Sequence, residues 1–211
     1  MINVIFMGTP DYAEKILARL IDEPNINVVG VYTQPDKPVG RKKIMTAPEV
    51  KVLAQKSGVD VYQPIRLRDE ETVDELLQIK CDYIVVAAYG QILPRAILDH
   101  APCINLHASI LPQYRGASPI QQTLLNDDKV TGVTAMLMEE GLDTGDILKI
   151  DTISVPKDMM VETLFNKLTD IAVNLTMDIL ENFASYTPVK QNNDESSHCK
   201  KISKKDGEVA F

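Results

Sequence analysis

A chain of 211 residues is long enough for one domain with a sizeable core, and 45% apolar with 25% charged residues is the balance of a globular protein. No apolar run approaches the ~20 residues that span a bilayer, and the opening Met1-Ile2-Asn3-Val4-Ile5-Phe6 lacks a basic leader, so no membrane helix and no signal or transit peptide is read. A net charge of -8 argues against a nucleic-acid-binding surface overall, leaving two local basic clusters: Lys37, Arg41, Lys42 and Lys43, then Lys200, Lys201, Lys204 and Lys205.

Val- and Ile-rich runs over residues 3–7 and 27–33 read as buried strands. Between them Ala13, Ile16, Leu17, Leu20 and Ile21 recur at helical spacing, with Asp11 as the expected N-cap. The rhythm continues with a helix over 48–56, a strand over 59–62, a helix over 70–79 and a strand over 83–88. Such alternation predicts an α/β fold, a parallel sheet with helices on both faces. A strand over 103–107 and a helix over 118–125 follow. Strands over 130–138 and 147–155, joined by a Gly-containing loop, suit antiparallel pairing, and a long helix over 161–183 comes next. After Tyr186 the composition turns to Asn, Asp, Ser and Lys without apolar periodicity, which reads as a linker or tail. Cys81, Cys103 and Cys199 are odd in number and lack CxxC spacing, so free buried thiols in a reducing cytoplasm are expected rather than disulfides or zinc.

The first strand-to-helix turn is Gly8-Thr9-Pro10-Asp11. A dinucleotide fingerprint needs glycine where Pro10 and Ala13 stand, and proline offers a pyrophosphate no N–H, so a nicotinamide enzyme is not indicated. No phosphate-binding GxxxxGK[ST] loop is present either. Asn105 and His107 alternate on one strand, which puts them on the same face at its carboxyl end, where open α/β sheets hold ligands. A histidine at a strand end is more often structural, and Asn-x-His alone is a weak signal. Two further segments add weight. The loop containing Leu111-Pro112-Gln113-Tyr114-Arg115-Gly116 is long for a plain connection, and Glu139-Glu140-Gly141-Leu142-Asp143-Thr144-Gly145-Asp146 joins two strands with carboxylates and glycines.

Together, Asn105-x-His107, the run Leu111-Pro-x-Tyr-Arg-Gly-x-x-Pro119 and Gly141-Leu-Asp-Thr-Gly-Asp146 resemble the folate-dependent formyltransferases, and the resemblance extends from Gly8 to Phe183. Gly8-Thr-Pro-Asp11, Thr33-Gln-Pro-Asp-Lys-Pro-x-Gly-Arg41, Ala47-Pro48-x-Val-Lys51 and Ala88-Tyr-Gly-x-Ile-Leu-Pro94 are similar to the branch that formylates methionyl initiator tRNA. The resemblance implies a Rossmann-like, mostly parallel sheet. It also implies a monomeric cytoplasmic enzyme that moves a formyl group from the co-substrate 10-formyltetrahydrofolate to an amine, without metal or covalent intermediate. Asn105, His107 and Asp143 would be catalytic: an amide and an imidazolium, the latter favoured by Asp143, would face the tetrahedral oxyanion. Gly90, Gln91, Ile92, Leu93, Ser109, Ile110, Leu111, Pro112, Glu139 and Gly141 would line the folate site. Arg41, Lys42 and Lys43, in the charged stretch 36–43, would approach the tRNA. The branch carries a further C-terminal β-barrel, so residues 1–186 are expected to form the catalytic domain and 187–211 a linker toward such a barrel. The same Asn, His and Asp set would serve transfer to an amino sugar on a nucleotide, or hydrolysis of the donor; neither uses the basic loop.

Overall fold

In β1 (Ile2–Gly8), Val4 and Phe6 pack into one apolar cluster and Ile5 and Met7 into another, because successive strand side chains point to opposite faces of a sheet. The computed structural model describes residues 1–203 and 206. After β1 come α1 (Asp11–Asp22), β2 (Ile26–Tyr32), the hairpin strands β3 (Lys37–Val39) and β4 (Ile44–Thr46), and α2 (Glu49–Lys56). Then follow β5 (Val61–Tyr62), α3 (Glu70–Leu77), β6 (Tyr83–Ala87), α4 (Arg95–Leu98) and β7 (Cys103–His107). The remaining elements are β8 (Arg115–Gly116), α5 (Pro119–Leu125), β9 (Val130–Leu137), β10 (Ile147–Ser154), α6 (Val161–Asn182) and β11 (His198–Cys199).

The main sheet has seven strands in the order β10-β9-β7-β6-β1-β2-β5. The five from β7 to β5 are mutually parallel, while β9 pairs antiparallel with both β7 and β10, so the sheet is mostly parallel with antiparallel pairing at one edge. The hairpin of β9 and β10 is therefore paired as its short connection suggests.

One cluster joins Val4, Phe6, Val85, Ile104 and Leu106 to α1, α2 and α6; the other joins Ile5, Met7, Ile84 and Val86 to Leu76 of α3 and Ile97 of α4. The long α6 meets the first through Leu164, Leu168, Ala172, Leu175 and Ile179, one stripe at helical spacing. Gly8 permits the close approach of α1, since a Cβ there would lie 2.9 Å from the Ala87 carbonyl and 2.5 Å from the Ala13 Cβ.

Three local expectations differ from the structure. Pro10, not Asp11, takes the cap position of α1, because its extended backbone can end the strand turn without an N–H; Asp11 becomes the first helical residue and accepts from the Tyr12 N–H at 2.9 Å. The charged stretch 36–43 is not a plain loop, for β3 and β4 pair as a separate antiparallel ribbon. The polar stretch after Tyr186 is not free of structure either: Val189 and Ile147 exchange backbone hydrogen bonds, and β11 pairs with β8. These contacts use backbone groups, which composition does not report. Of the second basic cluster, Lys204 and Lys205 lie outside the described residues. Among the described residues no helix is long and apolar enough to cross a membrane.

All three cysteines are free, Cys103 and Cys199 buried and Cys81 half-buried. Burial pushes the Cys103 thiol up to about 12 and, aided by the Asp82 charge, the Cys81 thiol up to about 11. Raised values keep both protonated at pH 8, and only the thiolate reacts. Native alkylation of Cys103 at pH 8 should therefore run at least ~10-fold slower than that of a free thiol. All three should react once the chain is unfolded, with mass spectrometry counting the adducts.

Candidate active site

The sheet changes direction of growth beside β1: the chain runs outward through β2 and β5, then restarts at β6 and continues to β7. Ligand crevices in open α/β sheets lie at the carboxyl ends of strands beside such a switch. The turns after β1 and β6 meet there, where the Thr9 hydroxyl donates to the Tyr89 carbonyl at 3.2 Å. Along β7, Ile104 and Leu106 face the α1 side, so Asn105 and His107 share the face of Cys103, which clusters with Leu76 of α3 and Ile97 of α4.

Asp143 reaches this face from the loop between β9 and β10. Its φ is 53°, a left-handed conformation that Asp tolerates better than most residues. Oδ1 accepts from Asn105 Nδ2 at 3.3 Å and Oδ2 from the Gly116 N–H at 2.8 Å. Oδ2 also lies 3.8 Å from His107 Nδ1, close enough for attraction but too far for a hydrogen bond. His107 Nε2 lies 2.9 Å from the Tyr114 carbonyl oxygen, and since a carbonyl only accepts, Nε2 carries a proton. Asn105 is 8% exposed and His107 7%. Among the described residues His107 is the one side chain within ion-pair distance of Asp143 that could carry positive charge. Its carboxylate is otherwise held by neutral donors.

The residues expected to line a folate site surround this cluster, in the loops after β6, β7 and β9, but they divide by what their side chains do. Gln91 is tied down, accepting from the Leu67 N–H at 2.7 Å and donating to the Pro64 carbonyl at 3.1 Å. Leu93, Ser109 and Leu111 are buried, the Ser109 hydroxyl donating to the Gln113 carbonyl at 2.6 Å. Ile110 and Pro112 are half-buried, whereas Gly90, Glu139 and Gly141 are exposed and Ile92 is 74% exposed. A cavity of about 240 Å³ opens between Gln91, Ile92, Arg66 and Arg68, and one of about 310 Å³ lies against Glu139, Thr144, Asp146 and Gln191. Arg41, Lys42 and Lys43 are exposed at the turn of the β3–β4 ribbon. At its base the Asp36 carboxylate receives Gln63 at 2.8 Å and Lys51 at 2.8 Å, bonds that lower the Asp36 pKa. Among the described residues no group of three or more His, Cys, Asp or Glu side chains is placed to share a metal.

A family model described as formyl transferase matches residues 2–180. The chain belongs to the formyl transferase family. It is 68% identical over 209 residues to the methionyl-tRNA formyltransferase of Sulfurimonas denitrificans (strain ATCC 33889 / DSM 1251), covering 99% of this chain and 69% of that protein. Among solved structures, the methionyl-tRNA formyltransferase of Clostridium thermocellum superposes with a TM-score of 0.68 at 20% identity, over 100% of this chain and 77% of that one. The N-formyltransferase of Helicobacter canadensis, in complex with folinic acid and dTDP-3-aminofucose, gives a TM-score of 0.69 at 20% identity, over 95% and 71%. At such identities the structural likeness speaks for the fold alone.

In this formyl transferase the sequence pattern marks the segment 111–119 as unusual but does not say what its residues do. The structure shows that Tyr114 contributes a carbonyl to His107 and Gly116 an N–H to Asp143. Backbone groups leave no side-chain signature, so no residue type could have announced either role. Gly116 has φ of 116°, and a Cβ added to it would fall on the Cys199 carbonyl. A side chain here meets both unfavourable backbone conformation, worth ~1–3 kcal/mol, and a clash with a neighbouring strand. Gly116→Ala should therefore lower the urea midpoint by an amount equivalent to ~2 kcal/mol or more. Unchanged stability would mean that β8 and β11 separate without cost.

Proposed function

We propose that the chain transfers a formyl group from 10-formyltetrahydrofolate to the α-amino group of methionyl initiator tRNA, a cytoplasmic step of translation initiation. The observation that carries the reading is the half-buried Asp143 carboxylate, bonded to Asn105 and Gly116 and faced by His107. The tRNA substrate draws support from the name of the Sulfurimonas relative at 68% identity. The donor draws support from the folinic acid bound by the Helicobacter neighbour.

The chemistry needs no nucleophile from the protein. The amine nitrogen attacks the formyl carbon, whose oxygen takes up negative charge; the bond to N10 then breaks, and the proton lost by the amine passes to N10. Asn105 Nδ2 has two N–H bonds and spends one on Asp143, which leaves the other for the oxyanion. The His107 N–H now on the neutral Tyr114 carbonyl is exchanged onto the oxyanion, because charged acceptors make bonds roughly twice as strong. Asp143 holds Asn105 by a hydrogen bond and attracts His107, balancing the imidazolium that accompanies proton movement. Backbone of Gly90 to Leu93 and Ser109 to Pro112, with Glu139 and Gly141, borders the pterin. Arg41 at the ribbon turn contacts tRNA phosphate, for which its fork of donors is suited.

The deciding assay is formyl transfer from the folate donor to charged initiator tRNA beside an uncharged control; transfer to neither would overturn the reading. Loss of an oxyanion donor typically costs ~10²–10³ in turnover. His107→Ala should fall by that order while donor affinity, measured by calorimetry, stays nearly intact. Adding Asp143→Asn should make it little worse, since groups acting as a unit are non-additive. A His107→Ala variant keeping a tenth of wild-type turnover would remove His107 from the chemistry. Arg41→Ala should raise KM for charged tRNA and leave donor affinity unchanged.

A further inference from the structure

We infer that Gln191 is a positioning residue for the transfer, acting through the Asp143 loop; this rests on the function proposed above. Gln191 belongs to the polar stretch that composition reads as a linker. Its Nε2 donates to the Asp143 carbonyl at 2.9 Å and to the Gly145 carbonyl at 2.7 Å. Its Oε1 accepts from Arg115 Nη2 at 2.8 Å and Nε at 3.1 Å. Both donors and the acceptor of one primary amide are thus used, and only one orientation suits: a flipped amide would set N–H₂ against the guanidinium and oxygen against two carbonyls. No other side chain of this length supplies that pattern. Glutamate lacks the donors and lysine lacks the acceptor.

What Gln191 holds is the part of the site least able to hold itself. Asp143 has its φ in the left-handed region, a strain that persists only where surrounding contacts over-determine it. Its carboxylate and its carbonyl are each gripped, by Gly116 and by Gln191. Arg115, adjoining Gly116, is 4% exposed and has amide oxygens as its partners, Asn193 Oδ1 at 2.9 Å besides Gln191. Gln191 therefore couples the Arg115-Gly116 strand to the Asp143 loop. The bridge between Val189 and Ile147 and the pairing of β11 with β8 anchor its segment on either side.

The test uses Gln191→Ala and Gln191→Glu in the 211-residue chain, alone and combined with Asp143→Asn. Glutamate keeps an acceptor for Arg115 but sets its second oxygen against two carbonyls, so that variant should keep the Arg115 contact while losing the donors to the loop. Both variants should lower kcat by ~10-fold or more, since small misplacement of a reacting group costs up to ~10²-fold. KM for charged tRNA should not change. In the Asp143→Asn background neither should lower kcat further, and hydrogen exchange over residues 138–146 should quicken in both. Wild-type kcat in Gln191→Glu, losses that multiply with Asp143→Asn, or unchanged exchange in that loop would each overturn the inference. If Asp143→Asn alone keeps full turnover, the proposed role of Asp143 fails instead, and exchange still reports whether Gln191 holds the loop.

Discussion

A carboxylate taken out of water must find donors, and the arrangement around Asp143 follows from that need. No lysine or arginine among the described residues comes within ion-pair distance, so its charge is met by an amide, a backbone N–H and the nearby imidazole. Neutral donors stabilise an anion without fixing a permanent counter-charge beside it. The groups come from three parts of the chain: Asn105 and His107 from β7, Gly116 from β8, and Asp143 itself from the β9–β10 connection. The site exists only when all of these are folded together.

The backbone around the cluster is unusual in the same places. Ala88, Tyr114 and Asp143 all have positive φ, at 46°, 60° and 53°. Such conformations cost ~1–3 kcal/mol each and collect where surrounding structure compels them. Tyr114 turns its carbonyl to His107 from this conformation, its hydroxyl bonded to Asp128 at 2.5 Å and its N–H to Ser197 at 2.9 Å. The parallel strands, with their two apolar layers, form the rigid support on which these strained loops rest.

The same sheet edge organises the exposed basic ribbon. It follows β2, whose carboxyl end points the same way as those of β6 and β7 because the three strands are parallel neighbours or linked through β1. A charged surface feature and a buried cluster thus share one side of the molecule through topology. Asp36, Lys51 and Gln63 hold the ribbon at its root while Arg41, Lys42 and Lys43 stay in solvent.

Much of this was readable in advance. Continuous Val and Ile runs separated by helical periodicity specify buried parallel strands, and strand and helix limits from such patterns agree with the structure to within about two residues. The alternation of Asn105 and His107 placed both on one face, as the period of two requires. The family resemblance added Asp143 from far along the chain, which spacing could not. Side chains announce themselves in sequence because their type restricts what they can do. Backbone groups do not, and so the Tyr114 carbonyl, the Gly116 N–H and the pairing of β3 with β4 were decided by tertiary structure alone. Gln191 is the clearest case: a lone polar residue in a polar stretch has no periodicity to betray it, and its partners lie 76, 48 and 46 positions away. Only the folded chain brings an amide, a guanidinium and two carbonyls within hydrogen-bond reach of one another.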